Sequence, residues 1–443
     1  MKKKYKDLTK ILLREDEIPQ RFLNINYYFQ KYLGELPEPP LHPVTKKPVG
    51  PEDLAPLFPM ELIKQEVTMD ESVEIPNEVM EFYKLYRAIP LIRAKRLEKY
   101  LKTPARIYFK HEGLTLTQSH KINTAIAQAY YNSKEGVKRL TTETGAGQWG
   151  SALSMACKFF NLECLVYMVK ISFNQKPYRK TLMKLFGAEV ISSPSKTTKM
   201  GKQFLKNDLK THGSLGMAIS EAIEVAVQDK LTKYSLGSVL NHVLLHQTVI
   251  GQEVKQQLKI CGEKPNVMIG CCGGGSNMAG FAFPMLAEKL KGKLKNCKFI
   301  GVEPKSCASM GKGKYKYDFG DTGKQTPLLK MESLGSDFVP PPLHAGGLRY
   351  HGIAPSLSFL HQKGLIETRA YDQISVFKAA QLFSETEGVV VAPETAHAVK
   401  AVIDEARRCK RQRKEEVIVF NLSGQGLLDL KGYEDFLEGK LNK

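Results

Sequence analysis

No Cys-x-x-Cys pair occurs in the sequence, although it holds eight cysteines: Cys157, Cys164, Cys261, Cys271, Cys272, Cys297, Cys307 and Cys409. Zinc ribbons and thioredoxin-type redox chemistry therefore lack their spacing. Most of these thiols sit in apolar company, where cysteine behaves as a small hydrophobe, and that usage suits a reducing cytosol. No run approaches the ~18 apolar residues that a membrane-spanning helix requires. The start, Met1-Lys2-Lys3-Lys4-Tyr5-Lys6-Asp7, is charged, and only Ile11-Leu12-Leu13 separates it from Arg14-Glu15-Asp16-Glu17. That run is too short for the apolar stretch of a secretory signal. A cytoplasmic protein is expected. Internal repeats and low-complexity tracts are lacking as well.

What is present is an ordinary globular balance. Hydrophobic residues make up 42% and charged residues 25% of 443, which excludes a disordered chain, a collagen and a bare coiled coil. At ~150 residues per domain the length allows two or three domains. A chain of this size buries enough surface to need no disulfides. The 65 Lys+Arg outnumber the 46 Asp+Glu, for a formal charge of +19. Such a balance admits nucleic acid, membrane surfaces or anionic small molecules as partners. The basic residues are spread along the chain, however. The densest run, Arg407 to Lys414, is followed by Glu415-Glu416 and reads as a solvated helix face. Neither a nucleic-acid nor a membrane partner is expected.

Residues 1 to about 75 read as an extension that wraps along the body. Pro37, Pro39, Pro40, Pro43, Pro48 and Pro51 make most of it extended rather than helical. Tyr27, Tyr28, Phe29, Leu54 and Phe58 are too apolar for a free tail. From about residue 105, short Val/Ile/Leu-rich runs alternate with helical patterns. The runs are Ala105–Lys110, Arg139–Thr142, Glu163–Val169, Glu189–Ser192, Val267–Ile269, Lys298–Val302 and Glu416–Phe420. Helical spacing marks Ser119–Ser133, Gly150–Phe160 and Tyr178–Phe186. The expected class is α/β with largely parallel sheets buried on both faces. Ligands in such folds bind beyond the carboxyl ends of the strands, so the loops after these runs carry the chemistry.

Three loops stand out. Gly145-Ala146-Gly147-Gln148-Trp149-Gly150 fits G-x-G-x-x-G, but the next strand ends at Lys170 with no acidic residue to hold a ribose, which disfavours a dinucleotide. Backbone N–H groups at that helix start suit a carboxylate, and Glu143 beside them suits a general acid/base. Gly273-Gly274-Gly275-Ser276-Asn277 makes a phosphate cradle, with Ser276 and Asn277 adding side-chain donors. No Gly-Lys-Ser/Thr follows, so a cofactor's phosphate fits better than a nucleoside triphosphate. In Ser119-His120-Lys121-Ile122-Asn123, Ser119 is the expected N-cap of a helix. Lys121 then sits in the first turn, where the dipole disfavours a cation and favours a nucleophilic amine. A lysine nucleophile beside a phosphate cradle that is not for ATP points to pyridoxal phosphate.

These residues, in this order, resemble the tryptophan synthase beta chain family of fold-type II pyridoxal phosphate enzymes. Trp149 after Gly-Gln, Pro51-Glu52-Asp53-Leu54 and the stretch His344–Gly352 resemble its second, longer class. The resemblance implies two three-layer α/β/α domains with an N-terminal extension. It implies an N-terminal domain of residues 76–86 and 119–245, with a mobile substrate subdomain at about 137–230. It assigns 87–118 and 246–443 to the C-terminal, cofactor-binding domain. The implied reaction joins L-serine and indole into L-tryptophan. Lys121 would carry the aldehyde and shuttle protons. His120, Ser238, Gly273, Gly274, Gly275, Ser276 and Asn277 would surround the phosphate. Ser423 would face the pyridine nitrogen and leave it largely unprotonated, with Glu303 near the same ring edge. Thr144, Gly145, Ala146, Gly147 and Gln148 would hold the amino-acid carboxylate. Glu143 would assist departure of the β-substituent and then take the indole proton. A monovalent cation, a homodimer and an alpha-chain partner are implied too; no protein metal ligands are expected.

The sequence departs from the family pattern at Gln118, where the family has Gly, at Leu116, where it has Pro, and along Tyr86-Arg87-Ala88-Ile89-Pro90-Leu91. These positions bear on donor and acceptor choice. The alternatives are a serine/threonine deaminase, a β-replacement enzyme using O-phosphoserine, or a basic binding module without catalysis.

Overall fold

The computed structural model describes residues 7–441. Among them, strands β1 to β15 in chain order form a seven-stranded sheet, a four-stranded sheet and two two-stranded ribbons. The large sheet runs, edge to edge, β1 (Lys10–Ile11), β4 (Leu91–Arg93), β5 (Arg106–His111), β15 (Val417–Leu422), β10 (Val267–Cys271), β11 (Lys298–Pro304) and β14 (Glu367–Tyr371). From β5 to β14 every pairing is parallel. The small sheet runs β8 (Glu189–Ser193), β7 (Glu163–Val169), β6 (Arg139–Thr144) and β9 (Thr232–Tyr234), also all parallel. The ribbons pair β2 (Arg21–Leu23) with β3 (Ser72–Glu74), and β12 (Lys314–Phe319) with β13 (Leu328–Ser333).

The central strands explain their own position. Val417-Ile418-Val419-Phe420 of β15 and Val267-Met268-Ile269 of β10 are buried residue after residue, as a strand covered by helices on both faces must be. Phe109 and Phe420 face each other in register across β5 and β15, their rings 5.8 Å apart. Phe383, from the helix Gln373–Glu387, meets Phe109 edge-on at 5.3 Å.

Several strands run further than the apolar runs suggest. β6 continues through Glu143 and Thr144, which stand in register with Tyr167 and Met168 of β7. β10 continues to Cys271 and β15 to Leu422. Parallel neighbours supply backbone partners beyond the last apolar residue, so Glu143 is held on a strand rather than in a loop.

Most of the described N-terminal stretch lies outside helices. Helices Ile25–Leu33, Pro51–Leu54 and Met60–Val67 interrupt it. The prolines cluster between the first and the second of these, whereas residues 25–33 carry Ile25, Tyr28 and Phe29 on one buried face. Asn24 caps that helix by accepting from the Asn26 N–H, and Gly34 ends it at φ +71. Ile11 of β1 pairs with Leu91, so this stretch also adds an edge strand to the large sheet.

A closed ion network lies beneath the sheet edge. The Arg87 guanidinium meets Glu253 at 2.5 Å and Glu112 at 3.1 Å, and Lys110 meets Glu253 at 2.5 Å, all four side chains being buried. Two cations balance two carboxylates, which is what burial of charge requires. Asn123 joins the network through Arg87 and Glu112, tying it to the helix Ile122–Lys134. On the surface, the basic run ends the helix Pro393–Gln412, where Arg408 pairs with Glu405 and Glu416. All eight cysteines are free and buried.

Candidate active site

The carboxyl ends of β5, β10 and β15 from one sheet, and of β6 and β9 from the other, open onto one polar cavity. His120, Lys121, Glu143, Thr144, Gly145, Ala146, Gln148, Ser238, the stretch Gly273–Asn277 and Ser423 all line it. Two sequence-derived candidates are absent from that wall: Gly147, which lies behind it, and Glu303.

Lys121 immediately precedes the helix Ile122–Lys134. Its Nζ donates to the Gly237 carbonyl at 2.5 Å and to Ser276 Oγ at 3.0 Å. Desolvation pushes its pKa down to about 8, against the pull of Glu143, Cys271 and Glu394. Ser119 is not the N-cap expected of it. Its N–H and its carbonyl are both bonded to Thr115 Oγ1, and the helix starts three residues later. The reason is the turn before it: Gln118 adopts φ +61, and its own carbonyl receives the Gln425 N–H. A side chain at that φ is strained, which is why glycine favours such sites. The Gln118 Oε1 is buried with no hydrogen-bond partner.

His120 lies with Nδ1 3.2 Å from the Ser423 carbonyl and Nε2 3.3 Å from Ser276 Oγ. A carbonyl only accepts, so Nδ1 carries the proton and Nε2 accepts from the hydroxyl. Burial and the neighbouring Lys121 hold its pKa down at about 3, so the ring is neutral.

The glycine cradle has no room for side chains. A Cβ on Gly273 would stand 2.2 Å from the Gly347 carbonyl oxygen, and one on Gly274 2.2 Å from Ser238 Oγ. Gly275 adopts φ +109 and leads into the helix Ser276–Leu290, whose first amides have no partners within the helix. The Asn277 side chain is not a cradle donor, contrary to expectation. Its Nδ2 donates to the Cys271 carbonyl and its Oδ1 accepts from Asn421. Those bonds tie the start of this helix to β10 and β15.

Across the cavity, Thr144 Oγ1 accepts from the Gly147 and Gly150 N–H groups and folds the loop onto the helix Gln148–Phe159. Gly147 needs its φ of +92, and a Cβ there would meet Arg179 at 2.8 Å. Trp149 Nε1 donates to Thr142 Oγ1, which in turn donates to the Ser235 carbonyl, so the indole ring locks β6 to the loop after β9. Glu143 accepts a 2.5 Å hydrogen bond from the Tyr234 hydroxyl, and burial lifts its pKa to about 7. At the far end, Ser423 Oγ stands 2.8 Å from Thr395 Oγ1 and 3.4 Å from Cys271 Sγ.

Glu303 points elsewhere. Its carboxylate accepts from the Met310 and Gly311 N–H groups and from Thr368 Oγ1. A second carboxylate in the wall besides Glu143 is Glu394, which sequence reasoning missed. It accepts from the Gly347 N–H at 2.8 Å and from Gln148 Nε2 at 3.1 Å. Pro393-Glu394 at the first turn of a long helix was the available signal. Gly346 and Gly347, in the stretch His344–Gly352, also line the wall.

A second, apolar cavity of about 80 Å³ adjoins the first, and Glu143 and Ser238 line both. Leu57, Phe58, Leu62, Leu215, Ile219 and Tyr234 make up much of its wall. The arrangement thus offers a buried amine, an anion cradle, and a carboxyl poised between a polar and an apolar chamber. Among the described residues, no helix is long and apolar enough to cross a membrane.

Residues 83–424 match the family described as pyridoxal-phosphate dependent enzyme. The tryptophan synthase beta chain 2 of Methanothermobacter thermautotrophicus is 56% identical, over 98% of this chain and 100% of that one. The tryptophan synthase beta chain of Pyrococcus horikoshii is 57% identical, over 98% and 93%. For Thermotoga maritima, the beta chain 2 is 56% identical over 95% and 98%. Among solved structures, threonine deaminase isoform 2 from Solanum lycopersicum superposes with a TM-score of 0.60 at 19% identity, covering 85% of this chain and 93% of that one. An L-serine ammonia-lyase from Rhizomucor miehei gives 0.59 at 16%, covering 81% and 99%. These two share the layered α/β fold.

Proposed function

The chain belongs to the pyridoxal-phosphate dependent enzymes and, within them, to the tryptophan synthase beta chains, and on that premise we propose that it joins L-serine and indole into L-tryptophan and water. The observation that carries this is Glu143 standing between the polar cavity of Lys121 and an apolar chamber. The polar lining of the first suits an amino acid and the apolar lining of the second an indole.

The residues fit the cofactor. Three glycines that tolerate no Cβ, the start of the helix Ser276–Leu290, Ser276 and Ser238 would hold its phosphate, with neutral His120 beside it. Ser423 would face its ring nitrogen, and Lys121 would hold its aldehyde. Bound pyridoxal phosphate supplies an electron sink for negative charge at the substrate α-carbon. Lys121, with its pKa near 8, takes and returns the α-proton. The loop Thr144–Gln148 orients the carboxylate at the start of a helix. Glu143, with its pKa near 7, gives a proton to the leaving hydroxyl and then accepts the indole N–H proton. Glu394, rather than Glu303, is the carboxylate that fixes the floor of this site.

Among the described residues lining the polar cavity, Lys121 is the one lysine or arginine. A neutral hydroxyl therefore suits the leaving group better than a phosphate ester. The apolar chamber favours replacement by indole over deamination. On the same reading, residues 76–86 and 119–245 form an N-terminal domain that contains a mobile substrate subdomain at about 137–230, and 87–118 with 246–443 form the cofactor-binding domain. The protein acts in the cytoplasm as a homodimer, receives indole from an alpha chain, and uses a monovalent cation.

A visible spectrum of the cofactor-loaded protein tests this. L-serine should shift the band, and indole should restore it as tryptophan forms. A band that ignores L-serine but answers O-phosphoserine overturns the donor. Absence of any band after incubation with pyridoxal phosphate leaves the binding-module alternative.

A further inference from the structure

Tyr234 closes β9 with its hydroxyl 2.5 Å from Glu143 Oε2. The two strands are neighbours in parallel register, Thr141 of β6 facing Tyr234 of β9. Glu143, two residues beyond Thr141, projects from the same face of β6. The phenol ring is buried and rests against Phe58 from the N-terminal stretch, centroids 6.0 Å apart. The ring also forms part of the wall of the apolar chamber.

We infer that Tyr234 is a positioning residue for Glu143, and that its hydroxyl serves the acceptor half of the reaction more than the donor half; this rests on the function proposed above. The bond engages Oε2 and leaves Oε1 to exchange protons. A phenol O–H donates more strongly to a carboxylate than to a carboxylic acid. It therefore stabilises the form of Glu143 that accepts a proton from indole. The donor half needs the opposite form, which burial already supplies. Burial and the phenol thus pull in opposite directions and leave Glu143 near neutrality.

The groups facing Glu143 are few. Lys121 approaches from the start of its helix, and Tyr350 lies nearby with its own hydroxyl given to the Gly320 carbonyl. On the far wall of the apolar chamber, Glu66 and His242 are paired at 2.8 Å. Tyr234 holds the direct side-chain hydrogen bond.

The test is Tyr234→Phe in the cofactor-loaded protein. It should lower kcat/KM for indole about tenfold near neutrality, more than kcat/KM for L-serine, and move the acid limb of the indole profile up by about one pH unit. Independently of turnover, the Glu143 carboxyl, isolated by infrared difference against Glu143→Gln, should titrate at higher pH in the variant. An equal loss for both substrates with an unmoved limb reduces Tyr234 to packing and overturns the inference. Where phenylalanine fails to fold, 3,5-difluorotyrosine at this position, a stronger donor of nearly the same shape, should move the limb down; no movement overturns it. A wild-type protein that makes no tryptophan refutes the proposed function instead, and the infrared titration still decides on Tyr234.

Discussion

Gln148 Nε2 donates to Glu394 Oε2 across 3.1 Å, and this bond joins the helix that follows β6 of the small sheet to the helix that precedes β15 of the large one. Glu394 also accepts from the Gly347 N–H, so one buried carboxylate fixes two walls of the cavity. Hydrogen bonds to a charged group contribute ~1.5–3 kcal/mol each. Glu394→Ala should therefore raise KM for L-serine about tenfold or more while cofactor binding persists. Steady-state kinetics beside a cofactor titration checks this.

Lys121 is bonded to Gly237 and Ser276 and is held near pKa 8 by desolvation. Borohydride reduction of the cofactor-loaded protein should fix the cofactor on the peptide that contains Lys121. Lys121→Ala should show no such adduct and no turnover. Recovery of the label on another lysine contradicts the assignment.

Burial of Glu143 also has a thermodynamic side. Its folded pKa is raised from 4.5 to about 7, so between these values the folded chain binds more protons than the unfolded one. Stability then falls as pH rises through that window. Glu143→Gln removes the titration. The variant should gain little at pH 4 and most above pH 7, up to about 3 kcal/mol, because each pH unit between the two values is worth ~1.4 kcal/mol. Denaturant midpoints at a series of pH values read this directly, and a constant difference contradicts it.

Gln118 sits at φ +61 with its Oε1 buried and unpartnered. Glycine relieves that strain, by ~1 kcal/mol for a left-handed residue. Gln118→Gly should raise the melting temperature of this 443-residue chain by about 1 °C. A fall would mean that the side chain packs better than its orphaned oxygen suggests.

Much of the site was legible because strand–loop–helix motifs bring their own geometry. The glycine cradle, Lys121 and Glu143 all fall where strand ends meet helix starts. What was hidden depends on which way a side chain turns. Glu303 and Glu394 are both acids beside a proline near an element's end, yet only Glu394 turns inward. Glu303 is captured by the Met310 and Gly311 amides. Ser119 looked like an N-cap until the Thr115–Gln118 turn took its backbone. The helices at residues 25–33 and 60–67 were obscured by the proline cluster between them.

The most direct measurement follows tryptophan and pyruvate together, with the cofactor-loaded protein given L-serine in the presence and absence of indole. Tryptophan should form in step with indole consumption, and pyruvate should be suppressed when indole is present. Pyruvate released at the same rate with and without indole, and no tryptophan, would contradict the account and make the protein a deaminase.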